Sequence, residues 1–394
     1  MIFDMVKILH VHLSGDISGA QRVSLDEMQT LSQEFQQSMV CSKEGRLTEQ
    51  ARRFGVRTHI ISSLTREISI LKDFVSFFQL YKLIKKEKFD IVHTHSSKTG
   101  FLGRVAAKLA GAKKIVHTVH GFAFPSTQNK IIKSIYFLME LIASYCSSII
   151  IVMNESDEKI AREFLLKNKK TKLFLINNAI DVDKYNKDKD KDKDKDKDKD
   201  KDKDKDKDKD KDKDKDKDKD KVFFRIVMVG RLCEQKNPLL LIEAVKDLES
   251  NIQVDIIGDG PLKVKLLEKI NQYNLADKVN FLGWIDAVEE YLYQYDLFVL
   301  PSRWEGMPLA MLEAMAAKVP VLSSDIEANK YLIEKTAGVL FEDNNCEDLK
   351  HKIKDLYSNV QYRDNIASKA YQSLIKDFNL VKRTKILESL YLNN

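Results

Sequence analysis

Two glutamates, Glu305 and Glu313, stand in the segment PSRWEGMPLAMLEAM with seven residues between them. Proline suits the first helical position, so a helix is predicted to begin around Met307 or Pro308. Glu305 then lies in the preceding loop and Glu313 about one and a half turns inside the helix. The backbone N–H groups of Gly306 and Met307 lie between the two carboxylates, at the positive end of the helix dipole.

A molecule with hydroxyl groups at both ends and phosphates in the middle fits this arrangement, and a nucleotide-sugar is such a molecule. Glu313 would bind the ribose hydroxyls, the start of the helix the diphosphate, and Glu305 the hydroxyls of the sugar. The alternative is a carboxylate that stabilises a helix N-terminus together with an ordinary solvated helical glutamate.

The segment GRLCEQKNP places Arg231 and Lys236 in a loop between the apolar strand FRIVMV and a helix that begins near Pro238. Two cations beside a helix N-terminus suit a diphosphate. The alternative is a pair of surface cations next to a turn. Gly230 opens this loop.

Two further loops follow predicted strands. IIGDGP contains Gly258 and Gly260, which permit a tight backbone, but it is not G-x-G-x-x-G. A dinucleotide fingerprint is therefore not supported, and a Rossmann dehydrogenase is disfavoured. FLGWIDA contains Trp284 and Ile285, which could flank a nucleotide base, while a core tryptophan is an equal alternative.

Short, continuous apolar runs such as FDIVHTH, SSIIIVM and DLFVLPS alternate with helical patterns in both halves of the chain. This alternation predicts parallel sheets covered on both faces. We expect an α/β protein with two facing, doubly wound Rossmann-like domains at residues 1–186 and 222–375. Ligands of such sheets bind at the loops after the strands, where these motifs lie.

Residues 187–220 are seventeen consecutive Lys-Asp pairs. Neither a helix nor a strand built from them would bury apolar surface, so a disordered linker is predicted at 187–221. The repeat contains D-x-D many times, but a metal site needs converging, rigidly held ligands. We expect no metal there.

The net charge of +6 is uneven: the first 186 residues carry 27 Lys/Arg against 18 Asp/Glu, whereas residues 221–394 carry 22 against 25. Basic clusters such as KLIKKEKF could contact anionic lipid headgroups, and ordinary solvated helix ends are the alternative. Nucleic acid is not expected as a partner, because the basic residues are not interleaved with aromatic ones.

The cysteines and the apolar runs bear on location. Four scattered cysteines fit reduced thiols in a cytoplasmic protein. The N-terminus shows no signal-peptide pattern. The longest apolar region, from Ile135 to Val152, contains Glu140 and is interpreted as a buried helix followed by a buried strand. The expected location is the cytoplasm, including the cytoplasmic face of the inner membrane.

Together these motifs resemble glycosyltransferase family 4, a retaining group with the GT-B fold. EGMPLAMLE resembles its E-x7-E signature, GRLCEQKN its phosphate-binding segment, and GDGP and FLGW follow in the expected order. SGDISGAQRV resembles its glycine-rich loop, with Ser18 and Gly19 at the two glycine positions. HTVHGF resembles the segment whose histidine, here His120, lines the sugar site, and core or supporting roles are favoured for His93, His95 and His117.

The resemblance implies a function, a site and a domain arrangement. It implies a C-terminal helix, residues 376–394, that returns to an acceptor-binding first domain, while the second domain binds the donor. The implied catalytic residues are His120, Glu305, Arg231 and Lys236. The implied donor-binding residues are Gly19, Gly230, Arg231, Lys236, Gly258, Gly260, Ile285, Glu305, Gly306, Met307, Pro308, Leu309 and Glu313.

The implied reaction is retaining transfer of a sugar, with a UDP-sugar favoured as donor, to a lipid-linked or saccharide acceptor in cell-surface polysaccharide or lipooligosaccharide synthesis. No cofactor and no metal is implied. A nucleotide-sugar epimerase of the same fold and a non-catalytic nucleotide-sugar-binding scaffold remain as alternatives.

Overall fold

The computed structural model describes residues 5–393 apart from 66, 128, 167–169 and 186–222. The predicted Lys-Asp linker at 187–221 lies outside the described residues. The described chain forms two sheets in which every strand pairing is parallel. The predicted α/β architecture with two Rossmann-like sheets is thus confirmed, whereas the exact domain boundaries stay a prediction.

The first sheet has seven strands in the order β3-β2-β1-β4-β5-β6-β7. Its central strands are buried on both faces, as parallel strands between helical layers require, and they combine apolar residues with buried histidines and threonines. The strands are β1 (Val6–Val11), β2 (Phe35–Cys41), β3 (Arg57–Ile60), β4 (Ile91–His95), β5 (Lys114–Thr118), β6 (Ile149–Val152) and β7 (Lys172–Leu175).

The second sheet has six strands in the order β10-β9-β8-β11-β12-β13. Strands β9 and β10 lie on one side of β8, and β11 to β13 lie on its other side. Ligands of such sheets bind at the carboxyl ends of the two neighbouring strands where the order switches, here β8 and β11. The strands are β8 (Phe224–Val229), β9 (Ile252–Ile257), β10 (Val279–Gly283), β11 (Leu297–Leu300), β12 (Val321–Ser324) and β13 (Val339–Phe341).

Helices connect the strands and cover the sheets. The helices that precede residue 186 are α1 (Gly19–Thr30), α2 (Arg46–Arg53), α3 (Ile70–Glu87), α4 (Ser97–Ala110), α5 (Ala123–Ser126), α6 (Lys130–Cys146) and α7 (Glu155–Ile160). The later helices are α8 (Pro238–Val245), α9 (Lys263–Gln272), α10 (Leu309–Ala316), α11 (Glu327–Lys335), α12 (Cys346–Ser358), α13 (Val360–Asp377) and α14 (Leu380–Leu392).

The last helix, α14, packs against the domain that contains the first sheet. Arg383 is buried, and its guanidinium donates two hydrogen bonds, of 2.9 and 2.7 Å, to Glu27 Oε1 on α1. Tyr391 Oη lies 2.6 Å from His93 Nδ1 on β4. The chain therefore crosses from the second sheet back to the first at its C-terminal end.

Two details differ from the sequence-based expectation. The helix after Glu305 begins at Leu309, with Pro308 just before it, because Pro308 adopts an extended conformation (φ −73°, ψ 107°). The region from Ile135 to Val152 does divide into α6 and β6, but α6 is not a buried helix, since Ile135, Leu138 and Ile142 are exposed. The apolar composition of a helix does not by itself show how many of its faces are covered by other elements. Among the described helices, none has the length and apolarity that a membrane crossing requires.

Candidate active site

The loop after β8 carries the predicted phosphate-binding cations. Gly230 has φ +157°, and the stem of Lys236 packs against it, 3.3 Å from where a Cβ would lie. Lys236 Nζ lies 2.6 Å from Glu305 Oε1, and both side chains are largely buried. Arg231 is exposed, and its guanidinium has no partner among the described side chains and backbone groups. One cation therefore holds Glu305 while the other is free to meet an anion.

Glycines bring the loops after β8 and β9 into direct contact. A Cβ on Gly258 would lie 2.0 Å from the carbonyl oxygen of Gly230, and one on Gly260 would lie 2.4 Å from that of Leu232. Gly258 also has φ +143°, which side-chain-bearing residues rarely adopt. Both predicted glycines are therefore required by the backbone packing beneath the cation loop.

The loop between Glu305 and α10 meets the first domain. Within the described chain, the backbone N–H groups of Gly306 and Met307 donate to no protein atom. Asn154 Nδ2 donates to the carbonyl of Gly306 (2.8 Å) and Asn178 Nδ2 to that of Met307 (2.9 Å). The N–H groups predicted to face the diphosphate are thus available, while the carbonyls are fixed from the other domain.

Glu313, on α10, is not an ordinary solvated glutamate. Burial raises its pKa to about 7; nearby Arg22 opposes this shift, Glu289 and Asp26 add to it, and a hydrogen bond to Tyr185 opposes it. Arg22 and Asp26 lie on α1 of the first domain. A partly desolvated carboxylate suits hydrogen bonding to neutral hydroxyl groups such as those of a ribose.

Pro308 and Leu309 are buried at the start of α10 and support this loop. Ile285 is half-buried after β10. Its neighbour Trp284 is 42% exposed, so it is not a core residue. The guanidinium of Arg46, on α2, lies 5.2 Å from the indole ring centroid. This cation–π contact joins the two domains at the rim of the site.

The segment with His120 lies against the glutamate loop. Gly121 has φ +102°, and a Cβ there would lie 3.5 Å from Gly306 Cα. A Cβ on Gly306 would lie 2.6 Å from the carbonyl oxygen of His120. The structure thus brings His120, Gly306, Glu305 and Lys236 to one place, although they come from different sheets.

His120 is held by a chain of buried polar groups. Its Nε2 lies 3.2 Å from His95 Nδ1, and His95 Nε2 lies 3.4 Å from Ser24 Oγ, which is 3.0 Å from His12 Nε2. Burial lowers the pKa of His120 to about 3. The ring is therefore neutral at physiological pH, and its second nitrogen is left for a ligand.

His10, His93 and His95 have ring nitrogens within 4.8 Å of one another, which is a possible metal-binding group. Both nitrogens of His93 are already paired, Nδ1 with Tyr391 Oη and Nε2 with Thr118 Oγ1. Both nitrogens of His95 are paired as well, and only those of His10 lack partners. The three histidines therefore do not offer three free nitrogen lone pairs to one metal ion. We interpret them as buried residues that stabilise the position of His120.

Gly19 and Ser18 complete the predicted site. Ser18 has φ −130°, an ordinary extended conformation, so the serine fits its position in the loop. Gly19 is the first residue of α1, and a Cβ there would meet no protein atom within 4 Å. Protein packing does not require this glycine, so the space beside it is open to a ligand.

Sequence reasoning missed Asn154 and Asn178, which fix the glutamate loop, and Arg22 and Tyr185, which surround Glu313. Asn154 follows the end of β6, so the rule that ligands bind after parallel strands could have indicated it.

Two protein-family models match the two halves of the chain. Residues 206–373 match the family Glycosyl transferases group 1, and residues 17–184 match Glycosyltransferase Family 4. A UDP-Gal:α-D-GlcNAc-diphosphoundecaprenol α-1,3-galactosyltransferase of Escherichia coli is 38% identical, over 98% of this chain and 97% of the relative. The chain is a family 4 glycosyltransferase. It is an enzyme of class EC 2.4 that acts in cell-surface polysaccharide synthesis.

Other relatives extend the comparison. The O-antigen biosynthesis glycosyltransferase WbnH of Escherichia coli is 24% identical, over 94% of this chain and 96% of the relative. The crystal structure of Anabaena Alr3699/HepE in complex with UDP and glucose superposes with a TM-score of 0.78 at 18% identity, over 98% of this chain and 99% of that one. The similarity to the Alr3699/HepE structure shows that the two proteins share a fold.

Replacing Gly306 with alanine tests the contact between the domains. The new Cβ would lie 2.6 Å from a backbone oxygen, so the loops must separate. We expect kcat/KM for sugar transfer to fall by up to about 100-fold, as for other small misplacements of reacting groups. Gly19→Ala is the matched comparison: it should leave the ligand-free Tm unchanged and weaken donor binding. Wild-type kcat/KM in Gly306→Ala would contradict the need for this contact.

Glu313→Gln tests the burial of this carboxyl. The pKa of Glu313 is raised from 4.5 to about 7. The free energy of unfolding therefore falls as the pH rises between these two values, and it stays lower at higher pH. We expect the ligand-free variant to melt higher than wild type at pH 8, by roughly 2–4 °C per kcal/mol gained. The difference should shrink at pH 5. Glu334→Gln, at an exposed position, is the control. A difference in Tm between wild type and Glu313→Gln that does not change with pH would contradict the raised pKa of Glu313.

Proposed function

We propose that this glycosyltransferase moves a sugar from a UDP-sugar to a saccharide carried on a lipid diphosphate, with UDP-galactose and lipid-diphosphate-linked N-acetylglucosamine as the first pair to test. The relative that is 38% identical is named as a galactosyltransferase with this donor and this type of acceptor. The observation that carries the proposal is the convergence of Glu305, Lys236 and His120 around the free N–H groups of Gly306 and Met307, with Arg231 exposed in the same loop as Lys236.

The donor lies along α10 in this proposal. Glu313 accepts hydrogen bonds from the ribose hydroxyls, and the N–H groups of Gly306 and Met307 donate to the diphosphate. Arg231 and Lys236 offset the negative charge that grows on the diphosphate as the sugar leaves.

The transferred sugar lies between Glu305 and His120. Glu305, held by Lys236, accepts hydrogen bonds from the sugar hydroxyls and orients the ring. His120 is neutral, so it offers a hydrogen bond without placing a positive charge beside the developing oxocarbenium ion. Retention by attack on the same face as the departing diphosphate is part of the proposal. The bond from the anomeric carbon to the diphosphate oxygen breaks as the bond to the acceptor oxygen forms, and the proton of the acceptor hydroxyl passes to the departing diphosphate. Glu305 is not cast as a nucleophile.

The contact between Gly121 and Gly306 describes a closed arrangement of the two domains. Closure around the donor excludes water, which strengthens electrostatic interactions and limits hydrolysis of the sugar. The first domain then presents the acceptor hydroxyl to the sugar.

We also propose that the glycosyltransferase binds peripherally to an anionic membrane surface on the cytoplasmic side. Helices α3 and α6 both pack against α4 and expose large apolar side chains. The lysines Lys82, Lys85 and Lys86 are exposed near the end of α3. The apolar residues, here called the α3–α6 face, are Ile70, Leu71, Phe74, Val75, Phe78, Ile131, Ile132, Ile135, Leu138 and Ile142. Apolar side chains flanked by lysines are the chemistry of an interfacial membrane contact.

Nucleotide binding tests the donor site. We expect UDP, in preference to GDP, ADP and CMP, to raise the Tm, with about 2.7 kcal/mol of stabilisation at a hundredfold excess over Kd. Arg231→Ala and Glu313→Ala should lose this effect, while the exposed Lys330→Ala should keep it. Transfer of galactose from UDP-galactose to the lipid-linked acceptor, followed by mass spectrometry, then tests the reaction. Absence of stabilisation by every nucleotide would overturn the proposed donor site.

Vesicle binding tests the membrane surface. Replacing Lys82, Lys85 and Lys86 with glutamine should weaken partition onto phosphatidylglycerol vesicles by about 100-fold, at about 1 kcal/mol per lysine. Ile70→Ser with Leu71→Ser should weaken it as well. Val264→Ser with Leu267→Ser, exposed on α9 of the second domain, is the matched control. Equal vesicle binding by all these variants would contradict the proposal.

A further inference from the structure

A cavity of about 250 Å³ lies in the first domain beside the reaction centre. His120 and Gly121 line it on the side that meets the glutamate loop, and Ser96 and Ser97 line it at the start of α4. Glu140, from α6, also lines it. Since Gly121 lies against Gly306, the cavity is next to the place proposed for the donor sugar.

Glu140 is a buried carboxylate held by a single guanidinium. Its Oε2 accepts a 2.6 Å hydrogen bond from Arg104 Nη2, and the two side chains are 3% and 0% exposed. Arg104 Nε donates to the carbonyl of Gly100 (2.8 Å), and Arg104 Nη1 is buried without a partner. Within the described chain, Glu140 Oε1 accepts no hydrogen bond. A carboxylate fixed through one oxygen thus lines the cavity with acceptor capacity left on the other.

His117 adds a second acceptor to the cavity. Its Nδ1 lies 2.9 Å from Thr94 Oγ1 and 3.1 Å from the carbonyl oxygen of Thr94. The hydroxyl donates to the carbonyl of Val116 (3.3 Å) and the carbonyl of Thr94 can only accept, so Nδ1 carries the proton. Nε2 then carries a lone pair, and it has no partner among the residues that the structure describes. Burial, followed by the nearby charge of Arg104, lowers the pKa of His117, so the ring stays neutral.

The cavity therefore combines a carboxylate and an imidazole lone pair, and both need hydrogen-bond donors. A fully ionised phosphate offers no hydrogen-bond donor, whereas a sugar offers several hydroxyl groups. Buried acceptors that lack donors are costly, and a ligand hydroxyl satisfies them. These requirements select a neutral, hydroxyl-rich ligand.

We propose that this cavity is the acceptor-sugar subsite, in which Glu140 Oε1 and His117 Nε2 accept hydrogen bonds from hydroxyl groups of the acceptor saccharide. The inference rests on the proposed function, which supplies the lipid-linked acceptor. Arg104 is a positioning residue that orients Glu140. The diphosphate of the acceptor lies outside the cavity, away from Glu140.

A purely structural ion pair between α4 and α6 is the competing explanation, because these helices pack together. Glu140→Gln separates the two, since its amide oxygen can still accept from Arg104. We expect the acceptor KM to rise about 10- to 100-fold, as for loss of a charged hydrogen bond. The kcat and the donor KM should change little, while the ligand-free Tm should fall, because the guanidinium of Arg104 stays buried without its counter-charge. Glu158→Gln, which alters the exposed pair with Arg162, is the control.

Deoxy analogues of the acceptor sugar give a second, independent measurement. The wild-type enzyme should lose about 10-fold or more in kcat/KM with the analogue that lacks the hydroxyl bound by Glu140. Glu140→Gln should be insensitive to that same deletion. His117→Asn, whose amide nitrogen can still donate to Thr94, should raise the acceptor KM even where Glu140→Gln fails to fold.

The outcomes are distinguishable. Transfer by the wild-type enzyme with unchanged acceptor KM in both variants would overturn the subsite and leave the proposed function standing. An equal response of wild type and Glu140→Gln to every deoxy analogue would do the same. Absence of transfer by the wild-type enzyme to any lipid-linked saccharide would overturn the proposed function and the subsite with it.

Discussion

The active site depends on a close approach of two backbone segments, one from each domain. Gly121 and Gly306 lie so near each other that a Cβ on Gly306 would be 2.6 Å from the carbonyl oxygen of His120. Asn154 and Asn178 then hold the carbonyls of Gly306 and Met307, which leaves the N–H groups free for an anion. Neither domain alone presents the complete set of groups, because the cations and glutamates belong to one and the histidine to the other.

Burial controls charge around this contact. His120 and its supporting histidines are neutral because burial disfavours the protonated ring, whereas Glu313 is close to half-protonated at neutral pH because burial disfavours its anion. Glu305 is also largely buried, but Lys236 lies 2.6 Å from it. In the proposed function, Arg231 and Lys236 act on the diphosphate, which gains negative charge, while the neutral His120 lies beside the sugar.

Much of the fold and part of the site could be predicted from the sequence, because the signals were local. Continuous apolar strands predict parallel sheets, and motifs that follow those strands lie where ligands bind. The contacts that assemble the site are not local: Asn154 and Gly306 are 152 positions apart. Sequence spacing could not show that Arg104 holds Glu140, or that α6, although rich in apolar residues, would leave several of them exposed.

The C-terminal crossing explains how the two domains stay in register despite a long repeat between them. Arg383 joins α14 to Glu27 of α1, and its Nη1 donates to the carbonyl of Ile176 (2.8 Å). The backbone of Ile180 pairs with that of Asn379 beside it. Since α1 also carries Arg22, which faces Glu313, this crossing and the donor site share one helix. Lengthening a connection costs only about 0.6 kcal/mol per doubling. Among the described residues, α14 and the contact between Gly121 and Gly306 join the two domains independently of the segment that connects them.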